Sequence, residues 1–249
     1  MDSLPVKPPQ DAVTIRRLRL GIGAVGIALP IVLTFGNALL TGERTLLDSI
    51  SAYYYTDMRD VFVGSMCAIG VFLICYRYER LDDLLSTIAG VLAIAVALFP
   101  VAPTVPPGTL SSTDITIGRV HQVCAAALFV LLAIFCIFLF PRARSARARA
   151  MPEKRGPRNA IYYACGGIIL GAITLAVASN ALPQPTRDTL KPLFWCEVVA
   201  VFAFGAAWLI KGEALYRDSH LGIPTGSGLV RGGPRTGDSI SPSGAPAGP

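Results

Sequence analysis

The run LRLGIGAVGIALPIVLTFGNALL, Leu18–Leu40, decides the fold. Apart from Arg19 it carries no charge over 23 residues. At 1.5 Å per residue a helix of this length spans about 35 Å, more than a hydrocarbon core of about 30 Å. Arg16, Arg17 and Arg19 open it in a way that mimics a signal peptide. The run is too long for a signal h-region, however, and no small-x-small cleavage site follows. It reads as a first transmembrane helix, with Asn37 in its last turns.

Outward from that run the same signal recurs. A second apolar helix ends near Tyr76, with Thr56 as its expected N-cap and Asp57 and Asp60 in its first turn, where acids complement the helix dipole. A charged turn, residues 77–83, leads to a third helix over about 84–101. A proline-rich loop, 100–107, follows. Ser111, Ser112 or Thr113 can cap a fourth helix that runs to Phe140. A basic loop, Arg142–Arg158, precedes a fifth over about 160–182, in which Gly166, Gly167 and Gly171 permit close helix approach. Pro183–Lys191 reads as a brief turn. Pro192 suits the first turn of a sixth helix ending near Ile210. The expected organisation is an all-α bundle of six transmembrane helices over 18–212. A disordered N-terminus, 1–17, and a Gly/Pro/Ser-rich tail, 213–249, flank it.

Composition agrees. The chain is 53% hydrophobic and 15% charged, with mean hydropathy +0.55; soluble domains carry about 25% charged residues. The net charge of +6 sits in short segments beside apolar runs, which marks topology and lipid contact and argues against nucleic acid as a partner. All six cysteines (Cys67, Cys75, Cys124, Cys136, Cys165, Cys196) fall inside apolar runs without CxxC spacing, so they read as small packing residues rather than a disulfide framework. No P-loop, dinucleotide fingerprint or GxSxG elbow is present, and no cofactor or bound metal is expected.

Six spans put both termini on one side. That side holds Lys7, Arg16, Arg17, Arg19, Arg77, Arg80, seven cations between Arg142 and Arg158, Lys211, Arg217, Arg231 and Arg235, 17 of the 22 basic residues. The other side holds Arg44, Arg59, Arg119, Arg187 and Lys191. The positive-inside rule then makes the termini cytoplasmic. The expected location is a bacterial inner (plasma) membrane, and the basic loop is expected to touch anionic lipid.

Between the first two apolar runs lies Asp48-Ser49-Ile50-Ser51-Ala52-Tyr53-Tyr54-Tyr55-Thr56-Asp57-Met58-Arg59-Asp60. By the topology above it faces outward, as do the third loop and the Arg187-Asp188 turn. An ionisable residue inside a span costs about 2.5–3.5 kcal/mol on insertion scales, so Glu197 must face the bundle and find a partner. His121, Arg59, Arg119, a tyrosine hydroxyl and Asn37 are the available ones. His121 and Glu197 are expected roughly 7–10 Å below their helix starts. They would meet Asp48, Ser49, Ser51, Tyr54, Asp57, Arg59 and Asp60 in one outward-facing polar pocket. Each residue also has a plainer role: packing clamp for Glu197, hydrogen-bonded structure for His121, interfacial belt for the tyrosines, turn capping for the serines.

The pattern Ser49-Ile50-Ser51-x-Tyr53-Tyr54, His121 in the fourth helix, Phe194-Trp195-x-Glu197 and the closing Trp208-Leu209-Ile210-Lys211-Gly212 resembles a family of uncharacterised bacterial six-helix integral membrane proteins. The layout is also similar to the DRAM/Frag/Sfk-type family, and more weakly to the CREST superfamily of alkaline ceramidases and related receptors. The latter use a membrane serine, an aspartate and three histidines around zinc. This chain lacks their paired histidines in the last helix, and no catalytic residue carries over. The leading expectation is a membrane protein whose outward polar pocket binds a lipid or small ligand. The rivals are a metal-dependent lipid hydrolase, with His121, Glu197 and one of Asp48, Asp57 or Asp60 on zinc, and a small transporter.

Overall fold

The computed structural model describes residues 9–76, 80–104, 109–142 and 156–220. The long helices are α1 (Pro9–Thr41), α2 (Arg59–Cys75), α3 (Arg80–Leu98), α4 (Ser112–Ile134), α5 (Gly156–Ala178) and α7 (Pro192–His220), with a short α6 (Gln184–Leu190) before the last. A 3-10 turn, Ser51–Tyr55, lies between α1 and α2, and a π turn, Phe135–Leu139, continues α4. No strand occurs among the described residues. Five helices, α1, α3, α4, α5 and α7, are long and apolar enough to cross a membrane. Their outer faces carry large apolar side chains such as Phe35, Val123 and Val177, each about two-thirds exposed. A soluble surface rarely presents so much apolar area.

The boundaries differ from the sequence reading in instructive ways. α1 begins at Pro9, so the polar lead-in from 9 to 17 continues the helix, and α7 runs on to His220. Both extensions, 9–17 and 211–220, mix charged and polar residues among the apolar ones, so an apolar-run criterion does not count them. α2 starts at Arg59 with Met58 at its N-cap. Thr56 serves the turn before it, its Oγ1 accepting the Met58 N–H at 3.1 Å, which leaves Asp57 outside the helix. Ser111 caps α4 in a capping box with Asp114. Pro183–Lys191 is not a plain turn, because Gln184–Leu190 closes one short helix. Most of the charged 77–83 turn's apex, residues 77–79, and positions 143–155 of the basic loop lie outside the described residues.

α1 packs chiefly on α7, α2 on α3, and α5 on α7, whereas α4 and α7 barely touch. Two crossings approach closely through glycine. A Cβ on Gly23 would stand 2.8 Å from the Gly205 carbonyl oxygen, and one on Gly205 would stand 2.9 Å from that of Gly23. Gly70 and Gly90 pair α2 with α3 in the same way. Of the three α5 glycines expected to permit close approach, only Gly166 does so, against Ile137; Gly167 and Gly171 look into open space. The cause is facing: small residues mark a packing seam only where the helix turns them inward.

The end of the bundle opposite the Asp48 segment is closed by aromatic side chains. Trp208 is fully buried and stacks edge-on with Tyr76 (5.2 Å) and Phe140 (5.2 Å). Arg19, counted from sequence as a topology charge, is itself buried. It lies over the Tyr76 ring and donates to the Tyr76 hydroxyl. Lys211 Nζ donates to the Phe140 carbonyl at 2.6 Å.

Candidate functional site

The segment after α1 does not stay in solvent. Ser49, Ile50, Ser51 and Tyr53 are buried, because the 3-10 turn tucks them into the end of the bundle. Such a short turn leaves backbone amides without helical partners, and these amides find the acid. Ile50 N–H donates to Glu197 Oε2 at 2.6 Å, and the Ser51 amide is turned toward the same carboxylate. The sequence leads one to expect a side-chain partner for Glu197; the partner is main chain. Two further ties hold the segment. Lys191 Nζ forms an ion pair with Asp48, and Tyr55 Oη donates to the Val101 carbonyl at 2.6 Å. Tyr55 lies outside the spanning helices. Desolvation, the neighbouring Tyr54 and Asp114 raise its pKa above the usual tyrosine value, against an opposing pull from Arg59.

His121 sits nine residues after Ser112, about 13 Å along α4, deeper than expected. Its Nδ1 faces the Phe99 carbonyl at 2.7 Å. An oxygen there can only accept, so Nδ1 carries the proton and Nε2 is left with a lone pair in the neutral ring. The physical need is local. α3 ends at Leu98, and Pro100 supplies no N–H, so the last carbonyls of α3 lack helical donors. His121 caps them.

Because α4 and α7 barely touch, a cavity of about 440 Å³ opens between α4, α5 and α7. This falls within the usual 300–1,000 Å³ of small-molecule sites. Its inner wall is apolar, with Ala125, Phe129, Ile173, Ala176 and Ala200. Its other lining is polar and includes Asp48, Ser49, Ser51, His121 and Glu197. The remaining expected residues lie outside that lining. Tyr54 stacks under the Arg59 guanidinium, 4.4 Å from its ring centroid, and takes a hydrogen bond from it at 2.6 Å. Asp57, Arg59 and Asp60 are exposed. α2 begins only at Arg59 and turns Arg59 and Asp60 outward, while Asp57 lies exposed in the turn before it. Ser49 Oγ accepts the Ala52 N–H at 3.0 Å, the turn-capping role.

Several lining residues were not singled out from sequence: Gln122, Asn180, Gln184, Arg187, Asp188 and Lys191. The Arg187-Asp188 turn is expected from sequence at the same end of the bundle as the Asp48 segment. Its link to the cavity is not, because it depends on α6 folding over the opening. Gln184 donates to Asp188 at 2.9 Å and accepts from Arg187. Lys191 ends α6 in the left-handed region at φ 48°. That conformation costs a non-glycine residue about 1 kcal/mol or more. Here it turns the chain sharply into Pro192 while Lys191 holds Asp48.

Among the described residues no three His, Cys, Asp or Glu side chains group so as to hold a metal ion. The trio weighed from sequence for zinc therefore does not assemble; His121 turns Nδ1 to a carbonyl and Glu197 receives backbone amides. Comparison with known proteins finds no match to any family model, curated protein or solved structure.

Proposed function

We propose that the chain is a six-span membrane protein, α1–α5 and α7, with both termini cytoplasmic, whose outward cavity binds an amphiphilic ligand, a lipid or a small molecule. α2 is the sixth span. Its 17 residues reach about 25 Å, at the short limit for a crossing, and Val61–Cys75 carries no charge. The observation that carries the reading is the two-sided cavity. One wall is alanine, isoleucine and phenylalanine; the other gathers three acids, two bases, a histidine and amides within one bundle end. A soluble metabolite has little use for the first wall and a pure hydrocarbon has none for the second. The layout likeness to DRAM/Frag/Sfk-type proteins is kept as a proposal of kinship. So are residence in a bacterial inner membrane and contact of the 142–158 loop with anionic lipid.

Native mass spectrometry of the purified protein tests the reading. Wild type should retain a bound amphiphile added in nanodiscs. Ala200→Trp, which fills the cavity, should lose it while keeping its thermal unfolding midpoint. Equal retention by both proteins would remove the cavity as the binding site.

A further inference from the structure

Glu197 lines a second, smaller cavity as well. This space of about 60 Å³ lies deeper among α1, α2, α4 and α7, lined by Leu29, Phe62, Met66, Leu73, Leu132 and Phe204 among others. Ser51, Ala125, Phe129 and Glu197 border both spaces. The two are therefore neighbours across a wall of four side chains. Among the described residues, Ser51 and Glu197 are the only polar side chains of the inner lining, so all of this space away from that shared wall is apolar and offers a polar group no partner.

We infer that this inner space is an apolar throat that takes the end of a single hydrocarbon chain, so that the bound molecule is a single-chain amphiphile with its head in the outer cavity. The inference rests on the proposed function and narrows its ligand class. Size argues for one chain. Where a water needs about 10–15 Å³, 60 Å³ holds about four to six water-sized groups, a short chain end in single file. Charge argues for the head. Asp48, Asp188 and Glu197 face Arg187 and Lys191 around the outer cavity, with Asp48 paired to Lys191. A near-balanced, hydrogen-bonding chamber fits a zwitterionic or uncharged polar head better than a strongly charged one. The Glu197 carboxylate, held by Ile50 N–H, stands where head gives way to chain.

The native tryptophans supply the readout. Trp208 is wholly buried and sits beside Phe204, 6.0 Å between ring centroids, just beyond the throat. Trp195 is 52% exposed. In a Trp195→Phe background, Trp208 alone emits. A lysophosphatidylcholine brominated at its chain terminus should quench it saturably; the same lipid brominated beside the head should not. Ala125→Phe, which blocks the passage, should abolish the quenching and weaken binding about a hundredfold, the worth of about three to four buried methylenes. Met66→Phe narrows the throat from α2 should Ala125→Phe not assemble. Binding of radiolabelled lysophosphatidylcholine without quenching, or quenching that neither saturates nor responds to these substitutions, would overturn the throat. Absence of any saturable binding would instead overturn the proposed function beneath it.

Discussion

Replacing Glu197 separates the two things its carboxylate does. Ile50 is only 4% exposed, and its N–H has Glu197 as acceptor. Glu197→Leu leaves that amide buried without a partner, at about 1–3 kcal/mol. The Ser51 amide, turned to the same group, moves the expected loss to about 2–3 kcal/mol. Glu197→Gln keeps a carbonyl oxygen in reach. It exchanges a charge-assisted bond for a neutral one and should lose about 1 kcal/mol. Equilibrium unfolding in mixed micelles gives both numbers, and amide hydrogen exchange at Ile50 and Ser51 shows whether the loss is local. In the leucine variant those amides should exchange faster, while the Gly23–Gly205 crossing stays protected. Equal destabilisation by Gln and Leu, or unchanged exchange at Ile50 in the leucine variant, would refute the latch.

Three other outcomes follow from the same geometry. Gly23→Ala or Gly205→Ala should lose about 1–3 kcal/mol, since the new methyl meets backbone that cannot yield; Gly167→Ala and Gly171→Ala, in open space, should be neutral or gain up to about 1 kcal/mol from helix propensity, all compared by thermal unfolding. His121→Phe should lose about 1–3 kcal/mol by stranding the Phe99 carbonyl, and His121→Gln should recover part of that in the same assay. Tyr55→Phe should lose at most about 1 kcal/mol, the group being half exposed. Because the folded hydroxyl holds its proton more tightly than the unfolded one, this contribution should be full below about pH 10 and vanish as pH rises through the raised folded pKa. A stability difference between wild type and Tyr55→Phe that persists well above that range would contradict it.

The long helices were legible because length and apolarity are properties of a run, and a run such as Leu18–Leu40 admits no other solution in lipid. Helix ends were less so. Nothing in the residues from Pro9 to Arg17 announces a helix, and Thr56 has the chemistry of an N-cap but is used in the turn before α2. The sequence indicated that Glu197 needs a partner, and the energetics of buried charge guaranteed it. That the partner is the Ile50 amide depends on a 3-10 turn whose open N–H groups leave no mark in side-chain identity. The cavity follows from how little α4 and α7 touch, a property of pairwise packing that no single run encodes. Arg59 and Asp60 fall outside the cavity lining because α2 starts at Arg59 and points them outward, and Asp57 stays in the exposed turn before it.

Site and sidedness meet in one labelling measurement. On a Cys-free background, Asn180→Cys at the cavity rim should react with a membrane-impermeant maleimide in intact cells, and lysophosphatidylcholine should slow that reaction in the otherwise wild-type cavity but not when Ala200→Trp fills it. Cysteine at position 147 should react only after permeabilisation. Labelling of position 147 in intact cells, or an Asn180→Cys rate indifferent to the amphiphile, would contradict the account.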